Sequence, residues 1–310
     1  MKRISMLVTV VLLMAAALAV AAIPAHAATK TVRYGPFTIP AASGDMPSML
    51  EKVKLGVAKP CTDCYITSFS PDLTYPDGTT ANFNTGAMLH HAVFTSQFRS
   101  DATCGSSGTL WGVAGERFFG SGNERTAISF PYGYGYRVRS WDSWNLLVEL
   151  MNMETYSQSV YVDVTYTYRS ASAPVKPLKP VWLDIDNCGD SEYSIPAGYS
   201  DTHWDWQANV EGKIVAMGGH LHDYGVKIEA TNESTKESTC TSAAGYGNTA
   251  EYMGHISSMS VCKGDPERDD AVAYVDSGDA VRIHSIYDSP EPRDDVMGIM
   301  LAYIYRMKVP

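Results

Sequence analysis

The chain has 310 residues, of which 45% are hydrophobic and 19% are charged, and its formal net charge is −10. This composition excludes intrinsic disorder and a collagen-like repeat. The negative charge argues against a nucleic-acid partner, because such a chain cannot neutralise a run of phosphates. The 19 Tyr and 6 Trp, with abundant Val and Thr, favour strands over helices. We therefore expect a folded, acidic β protein.

The first 27 residues have the pattern of a secretory signal peptide. Lys2 and Arg3 precede an apolar run over residues 4–23, and residues 25–27 form an A-x-A cleavage signal. We predict cleavage after Ala27, a secreted or extracytoplasmic protein, and no membrane span in the mature chain. Because the apolar run exceeds the ~7–15 residues usual in a signal peptide, an uncleaved membrane anchor is the alternative.

An even number of cysteines in an exported chain indicates disulfides. They are Cys61, Cys64, Cys104, Cys188, Cys240 and Cys262. The sequence does not fix the pairing, but Cys240 with Cys262 is favoured, because both lie in the second half of the chain and outside its central strands. The Cys61-x-x-Cys64 motif also suggests a redox pair or half a zinc site. The chain has no second CxxC and no βαβ pattern around this one, which favours the disulfide.

Strands with one buried face are predicted along the whole mature chain. Apolar and polar residues alternate from Val160 to Tyr168 with the period of two typical of such a strand. Turn signals separate further predicted strands. These are Cys64–Phe69, His90–Thr95, Tyr136–Val138, Leu146–Met151, Lys213–His222, Val226–Ala230, Ala280–Tyr287 and Val296–Tyr305.

A Pro-rich segment divides the predicted strands into two groups. Pro174, Pro177 and Pro180 recur every third residue, which favours an extended, semi-rigid connector. We predict a linker at residues 173–180 between an N-terminal domain, 28–172, and a C-terminal domain, 181–310. Short strands without regular helices predict an all-β fold of two antiparallel, jelly-roll-like β-sandwich domains in tandem.

Two histidine clusters are the candidate metal ligands. The chain has eight histidines, and four of them form the pairs His90-His91 and His220-x-His222. Along a strand, His220 and His222 point to the same face, so both imidazoles can reach one metal ion. His90 and His91 point to opposite faces of a regular strand, so they can share a metal only across a bulge or a strong twist. Either pair alone is compatible with a purely structural role.

Several short motifs in order resemble the copper type II, ascorbate-dependent monooxygenases, which include dopamine beta-monooxygenase and the peptidylglycine alpha-hydroxylating enzyme. The resemblance runs from about Cys61 to Tyr305 and is closest to bacterial and plant relatives of the stress-induced nodulin type. The motifs are the HH strand at Met88–Phe94, the P-x-x-x-G-[FY]-R-V stretch at Pro131–Val138, the HxHxxG strand at His220–Gly225, the GD-containing strand at Gly278–Tyr287 and the [DE]-x-M strand at Asp295–Met297.

The resemblance implies two copper sites on two jelly-roll-like domains that face a solvent cleft. His220, His222 and Met297 would hold the copper that binds dioxygen, and His90 and His91 would hold a second copper that stores an electron. Ascorbate or a similar reductant would supply electrons, and one oxygen atom would enter a C–H bond of a small organic substrate. On composition alone, Met297 lies in an apolar strand and is predicted to be core packing.

The chain departs from the family at three positions. Met151 stands where the family has the third histidine of the first copper site, so that site is predicted to have a raised potential, to lack copper, or to have Met151 as ordinary core. Gly218 and Leu301 stand where the peptide-processing enzymes have the Arg that clamps a substrate carboxylate and the Tyr that assists it. A glycine-extended peptide is therefore not the expected substrate.

Three functions are compatible with these residues. The first is a secreted copper monooxygenase with one or two copper ions that acts on a small molecule with O2. The second is a non-catalytic copper-binding protein for sequestration or delivery that keeps only the HxH and Met site, an interpretation that Met151 favours. The third is a carbohydrate-binding module that uses tryptophans, since aromatic rings stack on sugars, although their spacing does not distinguish them from core residues. Its candidates are Trp141, Trp144, Trp204 and Trp206.

Overall fold

A computed structural model of the chain describes residues 27–44, 46–106, 113–247, 252 and 254–308. The predicted signal peptide therefore lies outside the described residues, apart from Ala27. The described residues contain no α-helix, and the short 3₁₀ helices Phe83–Thr85 and Pro266–Arg268 lie in connections between strands. In this part of the chain no helix is long and apolar enough to cross a membrane. The prediction of an all-β fold is confirmed.

Strands are present throughout the described ranges. In the N-terminal half they are β1 (Ala28–Ile39), β2 (Ser48–Val57), β3 (Cys64–Thr74), β4 (Ala87–Ser96), β5 (Glu116–Ser121), β6 (Ile128–Ser129), β7 (Tyr134–Val138), β8 (Trp144–Asn152) and β9 (Gln158–Ser170). In the C-terminal half they are β10 (Lys176–Asp184), β11 (Glu192–Ile195), β12 (Gly198–Gln207), β13 (Gly212–Leu221), β14 (Gly225–Asn232), β15 (Glu237–Tyr246), β16 (Ile256–Met259), β17 (Val261–Lys263), β18 (Ala273–Val275), β19 (Ala280–Ser289) and β20 (Arg293–Arg306).

The strands form one long sheet and two shorter ones. The long sheet has the order β1-β9-β3-β7-β10-β20-β13-β17, with β6, β11 and β18 added at its margins. The shorter sheets have the orders β2-β8-β4-β5 and β12-β19-β14-β15-β16. One apolar core lies mainly between the four-stranded sheet and the long sheet, and the other mainly between the five-stranded sheet and the long sheet. The result is two antiparallel β-sandwiches in tandem, which share the long sheet.

Strand β20 contributes to both cores. Its residues Met297, Ile299, Leu301 and Tyr303 belong to the first core, and Val296, Met300, Ala302 and Ile304 belong to the second. Successive side chains of a strand point to opposite faces, so this apolar run is buried on both sides. A continuous apolar sequence is typical of a strand in that position.

The predicted linker at residues 173–180 is largely a strand. Residues from Lys176 onward form β10, which pairs antiparallel with β20 and, over Lys176–Leu178, parallel with β7. The extended conformation predicted from the prolines is present, but the segment is hydrogen-bonded within the long sheet and is not a free connector. The division into domains at 28–172 and 181–310 stays a prediction.

All six cysteines are paired in the structure. The disulfides are Cys61–Cys64, Cys104–Cys188 and Cys240–Cys262. The predicted pairing of Cys240 with Cys262 is confirmed, and the CxxC motif forms a disulfide of its own. Three disulfides are compatible with an oxidising, extracytoplasmic compartment.

A buried arginine connects the four-stranded sheet to the long sheet. Arg117 on β5 donates from Nε and Nη2 to the two carboxylate oxygens of Asp101, at 3.0 and 3.1 Å, and its Nη1 lies 3.8 Å from Asp184 on β10. Its guanidinium also lies over the ring of Trp182. Burial raises the pKa of Asp101, but the hydrogen bonds and charge of Arg117 outweigh this effect and lower it to about 2.

We expect Arg117→Met to lower the free energy of unfolding by about 3–5 kcal/mol, because the substitution leaves the buried carboxylates of Asp101 and Asp184 without a cationic partner. Urea unfolding followed by circular dichroism measures the change. The matched control is Lys227→Met, which breaks the exposed pair with Glu229 and should cost no more than about 1 kcal/mol. Equal losses in the two variants would show that the buried ion pair does not secure this junction.

Candidate metal centre

The HH pair lies at a β-bulge of strand β4. In the pairing with β8, Leu89 lies opposite Leu150 and His91 lies opposite Glu149, so His90 is an extra residue with no partner. A bulge of this kind turns the chain locally and re-aims side chains. The imidazole rings of His90 and His91 consequently lie together, with their centroids 4.2 Å apart. The bulge that the sequence required for a shared metal site is present.

The HxH motif lies at the end of strand β13. His220 belongs to the strand and His222 follows its last residue. The hydroxyl of Tyr287 on β19 accepts a hydrogen bond from the His222 N–H at 2.8 Å and donates one to the Met297 carbonyl at 2.6 Å. Gly225 closes the turn, because a Cβ there would lie 2.7 Å from Cβ of Leu221. The glycine of the HxHxxG pattern thus allows the chain to fold back against the strand.

The two histidine pairs meet in a single cluster. The Nε2 atom of His91 lies 3.1 Å from Nε2 of His220 and 2.9 Å from Nε2 of His222. His90, His91 and His222 each offer a ring nitrogen within 4.8 Å of the others. Two nitrogens that each bind one metal ion at about 2.0–2.1 Å can be at most about 4.2 Å apart. The two measured contacts of His91 satisfy this limit.

Each imidazole of the cluster has an acceptor at its other nitrogen. Oε2 of Glu149 on β8 lies 3.0 Å from Nδ1 of His90 and also contacts Nδ1 of His91. Oε1 of Glu124 lies 3.1 Å from Nδ1 of His220. Nδ1 of His222 contacts a backbone carbonyl, that of Asp295 on β20. Carboxylates and carbonyls in this position are the usual partners of metal-binding histidines, since they fix the tautomer and orientation of the ring.

These acceptors determine where the protons lie. With Nδ1 facing an acceptor, the proton of a neutral imidazole belongs on Nδ1 and the lone pair on Nε2. The Nε2 atoms of His91, His220 and His222 therefore face one another as acceptors. Such contacts at about 3 Å are unfavourable unless a cation lies between the nitrogens. The donor set fits a metal ion that prefers imidazole ligands.

Burial keeps the central histidines neutral. It lowers the pKa of His91 well below its ordinary value, and the neighbouring His90 and His220 add to the effect. Burial likewise lowers the pKa of His222 well below its ordinary value, together with the other histidines and against the bond to the Asp295 carbonyl. Neutral imidazoles are the form that binds metals.

The resemblance implies two separate copper sites. In the structure, by contrast, His91 of the first pair contacts both histidines of the second pair. Met297 is buried at 3% exposure and lines an apolar cavity together with His91 and His220. Met151 lies on the other side of the cluster, where it lines a polar cavity that His90 and His222 also line. Both methionines are thus close to the cluster, and their roles as ligands stay predictions.

Two carboxylates of the site are absent from the sequence-based candidates. Glu149 lies two residues before Met151 on β8, so the two share a face of the strand. A charged residue within this apolar run was a sequence signal that could have identified Glu149 as a site residue. Glu124 lies in the connection between β5 and β6 and carries no motif. Gly122 in this connection has a structural reason, because a Cβ there would lie 2.6 Å from Cε1 of His220. Burial raises the pKa of Glu124, but His220 outweighs this effect and lowers it.

One known protein family matches most of the C-terminal part of the chain. The model of the family described as stress up-regulated Nod 19 matches residues 132–307, which is more than half of the chain. The chain belongs to this family. The matched segment contains His220, His222, Met151 and Met297, whereas the HH pair precedes it. The family corresponds to the nodulin-type part of the predicted resemblance, and the wider resemblance to copper type II monooxygenases stays a prediction.

Two fungal proteins are similar over most of the chain. "Probable copper-dependent oxygenase M1" of Phoma sp. is 29% identical over 296 residues, which cover 91% of this chain and 73% of that protein. "Probable copper-dependent oxygenase clz3" of Cochliobolus lunatus is 29% identical over 257 residues, which cover 78% of this chain and 79% of that protein.

Two viral capsid proteins were found among solved structures. The crystal structure of the STIV MCP covers 90% of this chain and 97% of its own, with 8% identity and a TM-score of 0.37. The major capsid protein P2 from bacteriophage PM2 covers 91% and 98%, with 10% identity and a TM-score of 0.34. At these scores neither protein supports a conclusion about this chain.

We expect Glu149→Gln to weaken metal binding by about 10- to 100-fold, because the amide is a poorer acceptor for the imidazoles of His90 and His91. Competition titration of the metal-free chain with Cu(I) measures the affinity. The control is Glu51→Gln on β2, which lies directly opposite Glu149 in the sheet but is exposed. Unchanged affinity in the Glu149 variant would show that this carboxylate does not support the ligands.

Proposed function

We propose that the chain is an extracytoplasmic copper-dependent oxygenase that hydroxylates a C–H bond of a small organic substrate, with O2 and electrons from ascorbate or a similar reductant. The observation that carries the proposal is the convergence of His91, His220 and His222 with their lone pairs facing one another. The names of the two fungal relatives support copper as the metal.

The residues present fit copper. Imidazole suits copper in both oxidation states, and a thioether favours Cu(I). We propose His91, His220 and His222 as the imidazole ligands of one centre, with Met297 as a soft donor and with His90 and Met151 as further candidates on the polar side. When bound, copper supplies the redox chemistry by which dioxygen reacts with a C–H bond.

The chain itself contributes orientation and exclusion of water. Glu149, Glu124 and the Asp295 carbonyl hold the Nδ1 protons and so direct each Nε2 towards the centre. His91 is 5% exposed, so solvent has little access to its imidazole. A site that excludes water strengthens its electrostatic interactions and limits side reactions of oxygen chemistry.

A second candidate function is copper binding without turnover, for sequestration or delivery. All four histidines gather in one cluster, whereas the family that the sequence resembles would use a second, separate copper to store an electron. A single centre must receive its electrons directly from the reductant. The measurement that separates the two functions is oxygen uptake by the copper-loaded chain in the presence of ascorbate.

We expect the mature chain to bind one copper ion, and His91→Ala to abolish tight binding, because His91 is the only one of the described histidines whose Nε2 contacts both His220 and His222. Elemental analysis and Cu(I) titration give the stoichiometry. The exposed His203→Ala is the control and should keep its copper. Two coppers per chain would contradict a single centre, and copper without ascorbate-dependent oxygen uptake would favour the binding function.

We expect Met297→Ile to weaken Cu(I) binding at least tenfold with little effect on Cu(II), because only the soft ion gains from a thioether. The exchange of similar apolar volumes should cost less than about 1.5 kcal/mol of stability. Parallel titrations with the two ions, together with urea unfolding, test this. An unchanged Cu(I) affinity would make Met297 a packing residue, as its composition alone predicts.

A further inference from the structure

Two cavities of different polarity meet at the histidine cluster. His220 and Glu124 line both of them. The polar cavity is also lined by Asn123, Asp223 and Arg293. The other cavity is narrow, and its lining is mainly apolar. Its side chains include Val93, Ile128, Trp182, Met297, Ile299 and Leu301.

The polar groups of the apolar cavity are already engaged with the protein. Glu124 bonds to His220 and accepts from the Gly122 N–H, and the Thr126 hydroxyl accepts from a backbone N–H. No arginine or lysine lines this cavity among the described residues. An anionic group that entered would lose its hydration without gaining a cationic partner, at a cost of several kcal/mol by analogy with other unpaired buried charges. The cavity therefore selects against anions.

Gly218 keeps the cavity open on one side. It lies on β13, two residues before His220, and pairs with Leu301 on β20. A Cβ at position 218 would lie 3.5 Å from Cδ1 of Ile128 and 3.6 Å from Cγ2 of Val261, which are ordinary contacts. A small side chain therefore fits at this position, and a longer one would occupy the cavity.

We propose that this cavity binds the uncharged, apolar part of the substrate, as slender as an unbranched alkyl chain, with Gly218 and Leu301 as the residues that set its width. The inference rests on the proposed function, since it names the class of group presented to the histidine centre. His91, His220 and Met297 line this cavity, so a group bound in it lies directly beside the cluster.

Binding to the metal-free full chain tests the inference without any turnover. The probes are 1-hexanol and hexanoate, which share a six-carbon chain and differ in charge, and calorimetric titration gives their affinities. We expect 1-hexanol to bind at least tenfold more tightly than hexanoate. Equal binding of hexanoate and 1-hexanol would overturn the inference.

Gly218→Leu should reduce the affinity for 1-hexanol at least tenfold while the copper stoichiometry is retained. The control is Ala243→Leu, which adds the same type of side chain at an exposed position of β15 and should bind 1-hexanol as the parent chain does. Unchanged binding by a folded Gly218→Leu chain would place the alcohol elsewhere and overturn the inference.

Leu301→Ala tests the same cavity in the opposite direction, in case the Gly218 variant does not fold. The wider cavity should bind cyclohexanol, which is too broad for the parent, at least tenfold more tightly than the parent does. No gain for cyclohexanol would contradict the role of Leu301. Because these measurements use no copper, their failure leaves the copper stoichiometry, and with it the proposed function, to be judged separately.

Discussion

The burial of strand β20 on both faces is the constraint on which the rest of the structure depends. Alternate residues of this strand enter the two apolar cores, so its position is fixed by the packing of both halves of the chain. Each fully buried aliphatic side chain contributes about 1.5–3 kcal/mol to such packing. The carbonyl of Asp295, the side chain of Met297 and the apolar residues beside it therefore have fixed places. The histidine cluster is assembled against this strand.

The cluster itself works against folding. Burial of His91 and partial burial of the other three imidazoles cost hydration, and the Nδ1 partners force the Nε2 lone pairs of His91, His220 and His222 towards one another. Glu149, Glu124, Asp295 and the hydroxyl of Tyr287 offset part of that cost with hydrogen bonds. Local arrangements that disfavour the folded state and are held by their surroundings are typical of functional sites. A cation at the centre would turn the unfavourable contacts into favourable ones.

The sequence predicts the strands that have a long apolar pattern, and it identifies the histidines as candidate ligands, but it does not predict how the two histidine pairs lie relative to each other. The alternation at residues 160–168 and the apolar run around Met297 correspond to β9 and β20. The approach of His91 to His220 joins residues 129 positions apart in different sheets, and spacing along the chain holds no information about that contact. The Pro-rich segment can form a strand for a local reason: a proline removes one ladder hydrogen bond, but the other residues of β10 keep theirs to β20.

Strand alternation also explains how one site can have an apolar and a polar side. Gly218 and His220 lie on one face of β13. Met297, Ile299 and Leu301 of the neighbouring β20 lie on the same face of the sheet, since Gly218 pairs with Leu301 and His220 with Ile299. The two strands together form one apolar surface that ends at an imidazole. The polar cavity is built instead from connections and strand ends, where Asp223 and Arg293 lie. A C–H bond is unreactive unless it is held close to the oxidant and away from water, whereas a reductant such as ascorbate is an anion that needs polar surroundings. A cluster placed where the regular sheet meets its loops would satisfy both requirements, because the apolar cavity reaches His91 and His220 and the polar cavity reaches His90, His220 and His222.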